Sequence, residues 1–230
     1  MDVITVVLFD IDGTLLDMRG AGRKSFVRAL KSVFGWDDDI QYINFAGNTD
    51  LNVLRQVMEK HGRTLTDDDR LRFIERMPVD LAQTAGEAEL VIYPGVRELL
   101  EKLSADPQVV LGLVTGNVEA CARIKLWQFD LHGHFVLGAF GDDHADRTEI
   151  ALLAMKRVRD SLKPGQEIGA RFLVGDTPFD IAAAKTIEAK SIAVATGKFG
   201  VEALRETGAD HVLLDLSDTS AILNLLGLNA

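Results

Sequence analysis

An α/β fold, built as a doubly wound parallel sheet interrupted by a helical insert, is what this chain predicts, and three observations carry the prediction. Short apolar, β-branched runs alternate with longer helical stretches along most of the 230 residues. Those runs are hydrophobic at nearly every position, as strands covered on both faces of a sheet must be. One stretch, from about Met18 to Ile92, breaks the alternation and contains helical patterns with no convincing strand.

Taken in order, Val3 to Phe9 is the first strand, almost wholly apolar. The insert follows, with helical stretches near Arg23 to Phe34, Leu51 to His61 and Asp67 to Ala85. Thr66-Asp67-Asp68-Asp69 reads as a helix start, with acids near the positive end of the helix dipole. Tyr93-Pro94-Gly95 marks the return to the alternating pattern, since Pro94 disfavours helix at Tyr93. Strands are then expected at Val109 to Val114, Phe172 to Val174, Ser191 to Val194 and His211 to Leu214. Helices are expected between them at Val96 to Leu103, Val118 to Trp127, Glu149 to Leu162, Ile181 to Ala184 and Val201 to Glu206. The division this implies is a catalytic core of residues 1–17 and 93–230 with a smaller helical domain at 18–92.

Composition bounds the function. A chain of this length with 47% hydrophobic residues can bury a substantial core. Its formal net charge of −10 opposes nonspecific attachment to nucleic acid or to an anionic membrane, both of which need a basic face. The first residues carry no basic region, and the first apolar run meets Asp10 long before it could span a bilayer. The single cysteine, Cys121, reads as a small buried hydrophobe, and with no partner for a disulfide a cytoplasmic location is expected.

The residues that carry chemistry stand where strands end. In Phe9-Asp10-Ile11-Asp12-Gly13-Thr14-Leu15, two acids follow the first strand at a spacing of two, which brings both carboxylates toward one site. One carboxylate can attack phosphorus while the other protonates a leaving oxygen and later activates water; Asp10 suits the first role and Asp12 the second. A strand-to-turn cap is the plainer reading of the same residues. Val114-Thr115-Gly116-Asn117, after another strand, offers a hydroxyl and exposed amides to phosphate oxygens. Val174-Gly175-Asp176-Thr177-Pro178-Phe179-Asp180 adds two more acids after a third. Asp10, Asp12 and Asp176 together make an oxygen-rich site of the kind Mg²⁺ prefers.

With these motifs in this order, the sequence resembles the haloacid dehalogenase superfamily, in its phosphoglycolate phosphatase-like branch. The likeness runs from Asp10 through Asp180 to Ala193-Val194-Ala195-Thr196-Gly197 and Gly208-Ala209-Asp210. The resemblance implies a Rossmann-like core with a helical cap inserted after the first motif. It implies Mg²⁺ held by the side chains of Asp10 and Asp176 and the backbone carbonyl of Asp12, phosphoryl contacts from Thr115, Gly116 and Asn117, and support from Asp180. Members that displace halide lack the second acid of the first motif, so Asp12 favours phosphoryl transfer. The family's usual basic residue is Lys; here Arg147 stands at that point, with Lys156 farther along the same helix as the alternative. Gly47-Asn48-Thr49-Asp50 is similar to a cap segment that faces the active site in relatives, which makes Thr49 a candidate substrate contact.

The expected activity is Mg²⁺-dependent hydrolysis of a small phosphate monoester through an aspartyl-phosphate on Asp10, by a monomer or homodimer. A β-phosphoglucomutase-like phosphosugar mutase shares the core motifs and is the first rival. A phosphonate hydrolase would need a cap lysine, for which Lys24 and Lys31 are the candidates. His132 and His134, lacking further ligands at metal spacing, do not suggest zinc. The acidic triplets at Asp37 and Asp67 read as solvated charge.

Overall fold

The computed structural model describes residues 2–228. Six parallel strands form one sheet: β1 (Asp2–Phe9), β4 (Val109–Val114), β5 (Leu137–Ala139), β6 (Gln166–Gly175), β7 (Lys190–Val194) and β8 (His211–Leu213), in the spatial order β5-β4-β1-β6-β7-β8. The chain winds outward from β1 in both directions, so β1 is central and flanked by β4 and β6. That position explains its composition. Val6, Val7, Leu8 and Phe9 are all fully buried, yet alternate side chains enter different cores. Val7 and Phe9 pack with Leu99, Leu100, Ala122 and Leu126, which belong to α4 (Val96–Ala105) and α5 (Glu119–Trp127). Ile4, Val6 and Leu8 pack with residues of α6 (Arg147–Ser161) and α7 (Pro178–Thr186), among them Ile150, Met155 and Ala184. Each such aliphatic or aromatic side chain contributes about 1.5–3 kcal/mol by leaving water.

Between β2 (Leu16–Asp17) and β3 (Val91–Ile92), which pair antiparallel as a two-stranded ribbon, lie three helices and no strand. They are α1 (Ala21–Phe34), α2 (Asp50–Lys60) and α3 (Asp67–Gly86). Phe26 and Phe73 meet across α1 and α3 with ring centroids 4.7 Å apart. Thr49 and Thr66 cap α2 and α3, each accepting a backbone N–H through its side chain. Apolar residues of these helices, such as Phe26, Leu54 and Leu81, join the same continuous cluster as Val7 and Phe9.

The expected long elements are present with ends shifted by at most three residues, except that the strand expected from Phe172 begins six residues earlier, at Gln166. The short ones, β2, β3, β5 and the terminal helix α9 (Thr219–Leu225), carry too few residues for periodicity to register. α8 (Val201–Glu206) completes the set. Among the described residues no helix is long and apolar enough to cross a membrane.

Candidate active site

β1 ends at Phe9, as expected, and Asp10 and Asp12 occupy a tight turn just beyond it. Asp10 still donates its N–H to Val174 O at 3.0 Å, while Thr14 and Leu15 both donate to Ile11 O, at 3.2 and 2.8 Å. The reversal depends on Gly13, whose φ of +83° lies in the left-handed region. A Cβ there would also sit 2.3 Å from Asp176 Oδ2, so only glycine lets the turn approach the carboxylate. The turn separates the environments of the two acids: the Asp10 side chain is 7% exposed and that of Asp12 is 42% exposed.

Asp10 belongs to a buried cluster organised by Arg147. Arg147 Nη2 lies 2.7 Å from Asp10 Oδ1 and 2.7 Å from Asp180 Oδ1. The second approach is not aligned as a hydrogen bond, which leaves that attraction Coulombic. Arg147 is the first residue of α6, where the helix dipole disfavours a cation, and the carboxylates more than offset this. Burial works against its charge, but Asp10 and Asp180 hold the guanidinium firmly protonated. Asp180 spends its other oxygen on a capping box, accepting from Thr177 N at 3.0 Å and from Thr177 Oγ1 at 2.7 Å. Lys156, by contrast, is exposed and pairs with Asp160 at 2.9 Å, so of the two candidates it is Arg147 that reaches Asp10.

Burial raises the remaining acids. Asp10 is pushed up to about 6, mainly by desolvation, with Arg147 opposing and Asp180 adding to the rise. Asp176 is pushed up to about 8 by desolvation and then by Asp180 and Asp10. These directions express one fact: the pocket holds more buried negative charge than Arg147 neutralises.

Asp12 faces a second cation, one that the sequence did not suggest. Lys125 Nζ donates to Asp12 Oδ2 at 2.6 Å and to Asn117 Oδ1 at 2.5 Å. Asn117 in turn donates from Nδ2 to Asp12 Oδ2 and to Thr115 Oγ1, both at 2.7 Å. Burial disfavours the ammonium, yet Asp12 and Asp50 outweigh that and raise its pKa above the ordinary lysine value. Asp50, the first residue of α2, accepts from Val118 N at 2.9 Å and donates its N–H to Gly116 O at 2.8 Å. Gly116 makes this approach possible, because a Cβ there would lie 2.2 Å from Asn48 O. Asp50 is itself pushed up to about 6, by burial first and against the pull of Lys125.

Asp10, Asp12, Thr115, Asn117, Lys125 and Arg147 all line one cavity of about 490 Å³, which the helical insert closes from the side of Arg23, Phe45 and Met77. Gly116 and Asp176 line it too. Thr49 does not: its hydroxyl accepts from Asn52 N at 3.1 Å and donates to Ala145 O at 2.9 Å, and its neighbours Asn48 and Asp50 border the cavity in its place. Lys24 pairs with Glu87 and Lys31 with Asp37, both at exposed positions outside the cavity lining, which removes the two lysines a phosphonate hydrolase would have used.

The donor set fits a hard divalent cation. Asp10, Asp176 and Asp180 each offer an oxygen within 4.8 Å of the others, and all three are buried. Oxygen ligands and excess buried negative charge are what Mg²⁺ satisfies. Asp180 Oδ2 already accepts from Thr177 N and Oγ1, whereas among the described residues the Asp176 carboxylate accepts only from Thr14 Oγ1 at 3.4 Å.

The family model for "Haloacid dehalogenase-like hydrolase" matches residues 7–194, and the chain belongs to that family. It is similar to the "Probable phosphatase IndB" of Dickeya dadantii, at 28% identity over 93% of this chain and 96% of that protein. It also resembles PpaX of Caldanaerobacter subterraneus, which carries the name of a pyrophosphatase, at 24% identity over 93% of this chain and 91% of the other. Among solved structures, a phosphatase from Clostridium acetobutylicum, so described in its name, shares the fold at a TM-score of 0.69 and 21% identity, over 96% of this chain and 99% of that one.

Proposed function

We propose that this hydrolase is a cytoplasmic, Mg²⁺-dependent phosphatase that cleaves a small phosphate monoester through an aspartyl-phosphate on Asp10, with residues 18–92 serving as a cap over the site. The observation that carries this reading is the division of labour between two carboxylates in one cavity: Asp10 buried against Arg147, Asp12 half-exposed against Lys125 and Asn117. A nucleophile and an acid–base group need those different settings. The phosphatase name of a relative that spans nearly the whole chain agrees.

In the first step an Asp10 carboxylate oxygen attacks phosphorus and the bond to the ester oxygen breaks, that oxygen taking a proton from Asp12. In the second a water attacks the same phosphorus, Asp12 accepts its proton, and the bond to Asp10 breaks to release inorganic phosphate. Arg147 keeps Asp10 ionised and offers positive charge to the phosphoryl oxygens. Thr115 Oγ1 accepts from Asn117 Nδ2, which leaves its own hydroxyl proton to donate into the cavity. Asp10, Asp176 and the Asp12 carbonyl would hold Mg²⁺, which when bound neutralises charge on the transferring group.

A phosphate-release screen over small phosphomonoesters, with Mg²⁺ and with excess chelator, tests the reading. Release of inorganic phosphate that requires Mg²⁺ is expected. Full activity in chelator removes the metal from the mechanism, and an isomeric phosphosugar in place of phosphate makes the protein a mutase.

A further inference from the structure

Resting on the phosphatase reading above, we propose that Lys125 is a positioning residue that aims the Asp12 carboxylate and fixes the orientation of the Asn117 amide, tying both to the docking of the inserted helices. Lys125 lies near the end of α5 with its side chain only 6% exposed. It shares the buried face of that helix with Cys121 and Ala122, one turn earlier.

The geometry of the donors leaves little choice. An ammonium only donates, so Asn117 must turn Oδ1 toward Nζ. Its Nδ2 is then committed to Asp12 Oδ2 and Thr115 Oγ1. Asp12 Oδ2 is thereby held from two directions, by Lys125 at 2.6 Å and by Asn117 at 2.7 Å. A neutral residue at position 125 frees the amide to flip and the carboxylate to rotate.

The third leg of the arrangement comes from the insert. Asp50, at the start of α2, is buried within Coulombic reach of Lys125 and accepts from Val118 N at the head of α5. Gly22 of α1 stands alongside, a Cβ at that position lying 3.8 Å from Lys125 Nζ. Lys125 therefore bonds to Asp12 on one side and stands near the first residues of two inserted helices on the other. Lysine, with a single compact charge on a flexible stem, suits this place better than arginine, whose planar fork would demand a fixed arrangement.

The test is the dependence on leaving group, measured as kcat/KM for glycerol 2-phosphate and for para-nitrophenyl phosphate, whose leaving group needs little protonation. In Lys125→Met the loss for the alkyl ester is expected to exceed the loss for the aryl ester by about tenfold or more, within the range that acid–base catalysis supplies. Placed in an Asp12→Asn background, the same substitution should lose that discrimination, because its effect passes through Asp12. Equal losses on the two esters, or an undiminished effect without Asp12, overturn the inference and reduce Lys125 to a structural cation. Thermal melting accompanies the kinetics; if Lys125→Met fails to fold, Lys125→Met/Asp50→Asn restores the charge balance and is read in the same way. A wild-type protein that hydrolyses neither ester overturns the phosphatase reading and this inference with it.

Discussion

The two halves of the cavity solve opposite problems with the same kinds of residue. On the side of the sheet, Asp10 is nearly inaccessible, and its cation is an arginine wedged between it and Asp180. On the side of the insert, Asp12 remains open to solvent, and its cation is a lysine shared with Asn117. A guanidinium never releases its proton, so the first half is fixed in charge and shape. A half-exposed carboxylate held by a flexible ammonium keeps contact with water and with an arriving substrate. On the proposed mechanism, rigid charge serves the nucleophile and accessible charge serves the acid–base group.

The sharpest way to break this comparison is to neutralise each acid in turn. Asp10→Asn is nearly isosteric but cannot attack phosphorus, and turnover should fall by at least about a thousandfold on every ester, because the covalent route is lost. Asp12→Asn should cost about 10² to 10⁴-fold on alkyl phosphates and much less on para-nitrophenyl phosphate. Steady-state kcat/KM on both esters, with circular dichroism to confirm the fold, separates the roles. A tenth of wild-type activity surviving in Asp10→Asn removes it as the nucleophile, and an ester-independent loss in Asp12→Asn removes it as the acid.

How much of this was legible in the chain follows the same division. The sheet side could be read because its residues sit at ends of apolar strands, where a polar residue is conspicuous: Asp10 after β1, Thr115 after β4, Asp176 after β6. Arg147 was placed by the family resemblance, at the start of a helix where relatives usually carry Lys. The insert side could not, because Lys125 lies in a helix, eight positions after Asn117, where lysine ordinarily means solvent. One signal was there: with Cys121, Ala122 and Leu126 it falls on the apolar face of α5, and a charge on that stripe requires a buried partner. The turn at Gly13 was legible too, because a glycine just past a strand end frees the backbone to reverse sharply, and the left-handed φ of Gly13 agrees.

A smaller effect sharpens the sheet side. Arg147→Ala leaves Asp10 and Asp180 buried without their common cation, which should destabilise the fold by roughly 3–5 kcal/mol while lowering phosphate affinity and rate. Arg147→Lys should recover much of both, since one ammonium can stand between the two carboxylates that now share Nη2. Lys156→Ala should change neither, because that side chain reaches only Asp160. Denaturant unfolding and kcat/KM for the three variants test the assignment, and a silent Arg147→Ala would undo it.

The smallest effect expected is on stability alone, and it asks whether the excess negative charge around Asp10 is what a cation balances. Asp10 and Asp176 are raised in the folded protein to about 6 and about 8, so without metal the folded state holds protons that the unfolded chain has released. Stability then falls as pH rises from about 4, the ordinary carboxylate range, toward 8. The sign is opposite to that of a salt-bridged carboxylate, whose contribution grows as pH rises to the ordinary carboxylate range and is complete above it. Mg²⁺ binds the ionised acids, so it should raise the melting temperature more at pH 8 than at pH 5. At a hundredfold excess over its dissociation constant the gain is about 2.7 kcal/mol, or roughly 5–10 °C for a chain of this size. Melting curves at the two pH values, with Mg²⁺ and with chelator, measure it. On the insert side the expectation is different: Asp12 already has Lys125 and Asn117, so Lys125→Met should leave the Mg²⁺-dependent shift largely intact while altering the leaving-group dependence. A Mg²⁺ shift equal at both pH values, or abolished by Lys125→Met, would mean that the two halves of the cavity are not the separate devices their geometry describes.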